Sequence, residues 1–476
     1  MKDNAFYITT TLPYVNAPLH TGHALELVRA DTIARYKKLV GYDVYFNTGT
    51  DEHGIKVYEK AKEKNLEVQE FVDKGFETFK NQLKMFRITE EAHFIRTTDK
   101  HHIESAQYFW KLVAKNGFIY KKNYEAKYCI GCESEKTDSE LENGECKEHP
   151  GVKVSIISEE NYFFKYSAFR DKLLDFYEKN PNFIVPDFRF NEIKTFVKNG
   201  LQDFSISRLK SKMPWGIPVP DDNEHVMYVW FDALVNYIST LGWPENEEQF
   251  KKYWINGNPT QYCGKDNTRF QGAMWQAMLM AADLPNSRQI VVNGFITGDG
   301  GVKMSKTLGN VVDPRDIVNE YGVDALRYFL LREVSSFEDS PFTIERFKDA
   351  YNSGLANGLG NLVSRILTMV ENYAIRSVAV GSFSIDKDLD IFDIKNYMDK
   401  IWVKIQELDK IIQEKEPYKL YKTNKDEAVN IVIDLCNRLA FIAWSLKPVM
   451  PDTSEKILSC LSGHKKPETP LFLRKE

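Results

Sequence analysis

Two imidazoles stand three residues apart at His20 and His23, in H-T-G-H, where a strand-like run has ended and a helical pattern begins. A helix N-terminus offers unsatisfied N–H groups and the positive end of its dipole, so phosphate is attracted there. Gly22 has no side chain, which leaves its backbone open to a flat purine or a phosphate. The same histidines could equally be satisfied side chains of a helix cap. Far along the chain, Lys303 and Lys306 sit in the glycine-rich loop G-D-G-G-V-K-M-S-K-T-L-G-N (Gly298 to Asn310). By itself this is a solvated charged loop. Taken with the histidines, mobile lysines could clamp a triphosphate and neutralise charge that builds up in a phosphoryl-type transition state.

A second constellation is Cys129, Cys132, Cys146 and His149, spaced C-x2-C-x13-C-x2-H. Three thiolates and one imidazole in two knuckle-like pairs suit tetrahedral zinc. A redox C-x-x-C is the competing reading, though it has no need of the second pair. With four protein ligands no coordination position is open, so one such zinc per chain is structural. Cys263, Cys436 and Cys460 lie in apolar contexts and are expected to be packed.

These groups need elements to position them. F-Y-I-T-T-T reads as a buried strand, the run from Ala24 to Ala34 as a helix stopped at Gly41, and Y-D-V-Y-F as a second strand. A strand–loop–helix–strand unit of this kind belongs to a doubly wound parallel sheet. Asp51 follows the second strand at the edge where α/β ligands bind; with Glu52 it could instead cap the next helix, expected over Lys56 to Phe86. From Tyr120 to about Pro220 the texture changes to short strands, cysteines and prolines, an inserted domain. The α/β pattern returns at H-V-M-Y-V-W-F-D-A-L. Beyond Pro341 apolar residues recur at helical spacing: Leu355, Leu359, Leu362, Ile366; Met398, Ile401, Ile405, Leu408, Ile412; Ile431, Leu435, Leu439, Ile442. Three such stripes predict an antiparallel helical bundle. The polar tail beyond His464 is expected to fray.

At 476 residues two to four domains are expected. With 43% hydrophobic and 28% charged residues the composition is that of an ordinary globular protein. A net charge of −5 gives no global field for nucleic acid, so any RNA contact needs a local patch. Six cysteines in such a length do not form a disulfide framework. Strand-like sequence within six residues of the start and no run near the roughly 18 apolar residues of a membrane span point to a cytoplasmic protein without a membrane partner.

H-T-G-H and K-M-S-K-T resemble the two signatures of class I aminoacyl-tRNA synthetases. L-P-Y-V-N-A-P-L-H, T-G-T-D-E-H-G, W-G-I-P-V-P and Y-V-W-F-D-A-L narrow the resemblance to the methionyl-tRNA synthetase family, from about Phe6 to Pro451. The resemblance implies an α/β Rossmann-type parallel-sheet catalytic domain split over 1–118 and 223–296. It implies an inserted zinc-knuckle domain at 119–222, too short for the editing domain of leucyl, isoleucyl and valyl relatives. A stem-contact region at 297–350 and an all-α anticodon-binding domain at 351–476 follow.

The implied activity is methionine–tRNA ligation with Mg²⁺ and ATP, on initiator and elongator methionine tRNA, by a monomer. Catalysis is assigned by resemblance to His20, His23, Lys303, Lys306 and Arg208. ATP falls to His20, Gly22, His23, Gly264, Asp266, Ile296 and Lys306. Asp51 takes the amino group of methionine, whose pocket is Thr11, Leu12, Tyr14, Trp230, Ala233, Leu234, Tyr237, Asn267 and Gln271. Asn361, Arg365 and Tyr418 read the anticodon. The chain departs from the family pattern at Tyr418, where tryptophan is usual, and at Asn267 and Gln271, where isoleucine and histidine are usual. The Gln271 amide is expected to replace the imidazole as donor toward the methionine sulfur, with Asn267 fixing its orientation. The sequence also allows a smaller adenylyl-transferring enzyme, against which the insertion and bundle argue. A synthetase-like RNA-binding protein without catalysis is opposed by the intact signatures.

Overall fold

A computed structural model describes residues 4–475, apart from 133, 137, 152, 303, 305–310 and 377–380. It divides into two compact units, the first being Met1–Leu19, Tyr45–Asn81 and Glu91–Val292. This unit is built on a six-stranded sheet in the order His93–Arg96, Asp43–Thr50, Ala5–Thr9, Thr260–Gly264, Gln289–Asn293, Ile184–Val185. Ala5–Thr9 pairs in parallel with Thr260–Gly264, Asp43–Thr50 with His93–Arg96, and Gln289–Asn293 with Ile184–Val185. The Rossmann-type parallel sheet implied by the sequence is therefore present. Ala5–Thr9 is buried at every residue, as expected of a central strand covered on both faces. Its carboxyl end, and those of Asp43–Thr50 and Thr260–Gly264, feed the loops 10–15, 51–54 and 265–269 that carry the candidate site.

The segment Lys56 to Phe86, expected to be helical, holds two helices, Ile55–Glu63 and Val68–Met85. The break falls at Asn65, whose φ of 54° is left-handed, a conformation asparagine tolerates better than most residues. Gly75 in the second helix is needed for contact: a Cβ there would lie 2.8 Å from Val15 Cβ. That close approach seats the loop holding Leu12 and Tyr14.

The insertion is a long antiparallel ribbon of Ile119–Cys129 and Ser155–Phe164, flanked by Ser134–Lys136 and Phe204–Ser205. Between the ribbon strands a miniature hairpin pairs Leu141 with Cys146 and Glu142 with Glu145. Its two turn residues, Asn143 and Gly144, have φ of 52° and 79°. Positive φ at both suits the tight primed turn for which Asn-Gly is the usual sequence.

The second unit comprises His20–Val44, Gln82–Glu90 and Asn293–Glu476. The three predicted stripes lie on Tyr351–Gly360 running into Asn361–Asn372, on Ile394–Lys415 and on Lys425–Leu446. All their apolar members are buried except Ile431, which is half-buried. A fourth helix, Pro451–Gly463, joins them, its first turn held by the Thr453 N–H donating to Asp324 Oδ2 at 2.6 Å. Lys425–Leu446 is long and apolar enough to cross a membrane, yet it is a bundle helix with its apolar stripe inside. The tail expected to fray is instead docked. Tyr351 Oη donates to the Leu473 carbonyl at 2.8 Å, and Asn352 Nδ2 to that of Lys475 at 2.7 Å.

Helix Thr21–Leu39, which begins at the histidine signature, is tied into this unit by buried charge. Asp31 Oδ2 meets Arg327 Nη2 at 2.8 Å and Arg35 Nε at 2.8 Å, while Oδ1 accepts the Thr89 N–H at 2.8 Å. The Arg327 side chain is fully buried and also donates to the carbonyls of Val449, Pro448 and Phe86. Asp31→Ala should lower the unfolding free energy by about 3–5 kcal/mol, because it strands a buried guanidinium. Denaturant unfolding of the purified chain checks this, and a loss below about 1 kcal/mol is the contrary result.

Candidate active site

The histidine signature is a helix cap built from its own side chains. His20 is the N-cap of Thr21–Leu39, and its Nδ1 accepts the Gly22 N–H at 3.0 Å. The His20 N–H in turn donates to His23 Nδ1 at 3.4 Å. The two rings stack 3.8 Å apart at 20°. Desolvation lowers the pKa of both imidazoles, and that of His23 further through the neighbouring His20. Each is thus neutral near pH 7, with Nδ1 engaged as acceptor, so each ring carries its proton on Nε2. The result is a pair of adjacent N–H donors suited to anionic oxygens. Gly22, expected to leave its backbone open to a ligand, also serves the cap. A Cβ at that position would lie 2.9 Å from His20 Cε1, so glycine makes room for the imidazole.

In the first unit, Asp51 and Tyr14 form a parallel bridge. The Asp51 N–H donates to the Pro13 carbonyl at 3.0 Å and the Val15 N–H to the Asp51 carbonyl at 3.3 Å. This binds the Leu12–Tyr14 loop to the residue that follows the second strand. Asp51 is buried, at 5% exposure. Neither it nor Glu52 caps the next helix, whose N-cap is Gly54 without a side-chain bond. The Glu52 carboxylate instead accepts from Thr50 Oγ1 at 2.7 Å, Arg96 Nε at 2.8 Å and Thr98 Oγ1.

Trp230 stacks face to face on Phe270, 3.9 Å apart at 5°, and its buried Nε1 has no partner among the described residues. Ala233, Leu234 and Tyr237 are buried, and the Tyr237 carbonyl accepts from Tyr7 Oη at 2.8 Å. Gln271 is fully buried; its Nε2 donates to Thr11 Oγ1 at 2.9 Å and its Oε1 accepts from Gln261 Nε2 at 3.3 Å. Its orientation is therefore set by Thr11 and Gln261, and not by the expected Asn267, which is half-buried in the turn Lys265–Asn267. Gly264 ends the central strand where a Cβ would lie 2.7 Å from Asp266 Oδ1, so glycine permits that carboxylate to fold back.

Two residues along from Trp230, Asp232 is fully buried between two imidazoles. Its Oδ2 lies 2.7 Å from His53 Nδ1 and its Oδ1 2.8 Å from His102 Nε2. His102 Nδ1 lies 2.8 Å from Ser239 Oγ. Burial pushes the carboxyl pKa up, but the two histidines outweigh it and hold the group below the ordinary range.

Arg208 is buried on strand Ser207–Leu209, where Nη1 donates to Ser205 Oγ and the Ser207 carbonyl at 2.8 and 2.7 Å. Its guanidinium lies over the rings of Tyr128 and Tyr228. It stands on the three-stranded sheet that Ser207–Leu209 forms with Asp222–Met227 and Pro218–Val219. Ile296 lies in the second unit, on the short strand Ile296–Thr297 paired with Ser340–Pro341. Lys303 and Lys306 lie outside the described residues.

The donor atoms of Cys129, Cys132, Cys146 and His149 lie within 4.8 Å of one another. Cys132 Sγ is 3.5 Å from Cys146 Sγ and 3.2 Å from His149 Nδ1. The His149 ring fills the space beside Gly131, where a Cβ would meet it at 2.6 Å. Three soft thiols and an imidazole gathered at this range fit a four-coordinate ion.

In the bundle, Asn361 is exposed, and Arg365 one turn on pairs with Asp409 at 2.7 Å. Tyr418 is 48% exposed, its hydroxyl donating to Glu416 at 3.2 Å. An exposed ring on a short helix opened by Pro417 is available to stack.

Sequence reasoning missed Phe270, Arg29 and the set His53, Asp232 and His102. His53 lies in T-G-T-D-E-H-G and Asp232 in Y-V-W-F-D-A-L, each two residues from an assigned one, and that adjacency was the available signal.

A family model described as tRNA synthetases class I (M) matches residues 6–153 and 132–367. The chain is similar to the methionine–tRNA ligase of Caldanaerobacter subterraneus subsp. tengcongensis, 43% identical over 96% of this chain and 74% of that one. The methionine–tRNA ligase of Thermotoga maritima is 40% identical over 97% and 76%. Among solved structures, Mycobacterium tuberculosis methionyl-tRNA synthetase in complex with methionyl-adenylate superposes with a TM-score of 0.90 at 35% identity, covering 100% of both chains.

Metal analysis of the purified chain should find about one equivalent of zinc, lost in Cys132→Ser, with the bundle still folded by circular dichroism. A fully folded protein free of zinc is the contrary result.

Proposed function

The chain belongs to the class I tRNA synthetases, in their methionine family, and from that membership we propose the roles its residues play. It is a methionine–tRNA ligase: it activates methionine with ATP and transfers the product to tRNA. The observation that carries this reading is the match, end to end and at 35% identity, to an enzyme structure holding methionyl-adenylate.

In this reading the methionine carboxylate attacks the α-phosphate of ATP, forming methionyl-adenylate and releasing pyrophosphate. The carboxylate is already ionised at pH 7, so no general base is required. Catalysis is positioning and charge stabilisation. His20 and His23 supply the paired Nε2–H donors to phosphate oxygens, and Lys303 and Lys306 neutralise the triphosphate. Mg²⁺ entering with ATP supplies further charge neutralisation on the phosphates. Gly22, Gly264, Asp266 and Ile296 belong to the nucleotide site. Arg208 belongs with the catalytic residues, in support of activation.

Asp51 takes the methionine amino group. Its burial beside Tyr14 supports this, since a desolvated carboxylate gains most from a cationic partner. Thr11, Leu12, Trp230, Ala233, Leu234, Tyr237, Asn267 and Gln271 complete the amino-acid site. The four-ligand cluster holds a structural zinc, which fixes the tip of the inserted ribbon. Residues 297–350 contact the acceptor stem of tRNA, and 351–476 hold the anticodon through Asn361, Arg365 and Tyr418. Initiator and elongator tRNA are both substrates of an enzyme that works as a cytoplasmic monomer.

ATP–pyrophosphate exchange against a panel of amino acids tests the activity. Methionine should support exchange and the other standard amino acids should not; silence with methionine overturns the reading. Lys306→Ala should lower the exchange rate by at least about a hundredfold, the scale of a lost oxyanion donor, with methionine binding little changed. Tyr418→Ala should weaken tRNA charging by about 1–3 kcal/mol, the worth of a base stack, and leave exchange intact. Equal loss in both assays would mark a folding defect.

A further inference from the structure

We propose that Asp232, clamped between His53 and His102, is a positioning residue for methionine, holding two separate segments of the amino-acid site in register. The proposal rests on the methionine–tRNA ligase reading of that site. His53 lies two residues after Asp51, and Asp232 lies between Trp230 and Ala233. Ser239 lies two residues after Tyr237. The bonds His53–Asp232–His102–Ser239, at 2.7, 2.8 and 2.8 Å, therefore start beside Asp51 and end at the far side of the Trp230–Tyr237 segment.

That segment cannot hold its own shape. It consists of Val229–Ala233 and Asn236–Ser239, five and four residues long, neither with a side-chain cap bond. Helices this short are not stable by themselves. Both oxygens of Asp232 are used, so the segment is fixed in position and in rotation about its axis. The Asp51 side is anchored separately, through the bridge to Tyr14 and through Trp215 Nε1, which donates to the Glu52 carbonyl at 2.6 Å. His102 brings in a third element, the helix Lys100–Lys115. Apolar residues could fill such a volume at lower desolvation cost, but they would not specify one register.

The test is steady-state methionine-dependent ATP–pyrophosphate exchange by the full chain, well below the melting temperature of each variant. His53→Leu removes the donor and should raise the methionine KM about tenfold or more, with the KM for ATP within about twofold. His53→Asn keeps an N–H donor in the Nδ1 direction and should restore most of the affinity. Ser239→Ala cuts only the last bond and should raise the methionine KM about threefold. It also serves if His53→Leu does not fold. A fall in kcat with both KM values unchanged, or His53→Asn as impaired as His53→Leu, overturns the proposal and leaves a purely structural network. So does an unchanged methionine KM in Ser239→Ala. Wild-type enzyme without methionine-dependent exchange would instead overturn the reading of the site.

Discussion

A carboxylate and a guanidinium buried together, Asp31 and Arg327, are the constraint on which the second unit depends. Ionised groups out of water are tolerated only when every lone pair and proton is met, and here they are met from four stretches of chain: 31–35, 86–89, 327 and 448–449. Helix Thr21–Leu39 therefore has one position it can take. Arg29, two residues back on the same helix, is a second buried guanidinium, met by neutral oxygens. Its guanidinium donates to Asn293 Oδ1 and to the Ser336 carbonyl at 2.8 Å, and to the Ser335 carbonyl at 2.6 Å. Asn293 and Ser335–Ser336 flank the paired strands Ile296–Thr297 and Ser340–Pro341. The helix that begins with His20 and His23 is thus bonded to the stem from which the lysine loop departs.

The first unit solves a similar problem with imidazoles, hydroxyls and an amide beside one further carboxylate–guanidinium pair. Asp232 is satisfied by two imidazoles, Glu52 by two hydroxyls and Arg96, and Gln271 by Thr11 and Gln261. Each network spans segments distant in sequence and adjacent to an assigned amino-acid contact. Buried polar networks that are fully paired select one arrangement among many apolar alternatives. A ligand as featureless as a thioether side chain needs that kind of wall, because it offers only one weak acceptor of its own.

Local signals were the legible ones. The first two strands, the two signatures and the spacing of the four candidate metal ligands are properties of short windows, and their chemistry follows from residue type. Other features depend on partners hundreds of residues away. Nothing in the tail beyond His464 shows that Tyr351 and Asn352 will hold it, and nothing near Asp232 names His102. The break at Asn65 was missed because a propensity argument over a long polar-faced stretch does not register a single left-handed residue. Gly22 also makes room for the His20 ring, a role hidden in the sequence because a neighbour's rotamer cannot be seen there.

Gln271, a proposed methionine contact, shows the same difference. By residue type alone, a glutamine in place of an imidazole keeps a donor and adds an acceptor. The structure fixes how both are used: the carbonyl accepts from Gln261, and one N–H goes to Thr11 at the end of the first strand. The amide cannot flip without placing N–H against N–H at Gln261, so its orientation is determined. Among the described hydrogen bonds one N–H of Gln271 remains unassigned, and a thioether sulfur is a competent if weak acceptor for it. An imidazole in that place would have one proton to share between Thr11 and a ligand. The amide has two, so in the proposed reading one serves the fold and the other is left for the sulfur.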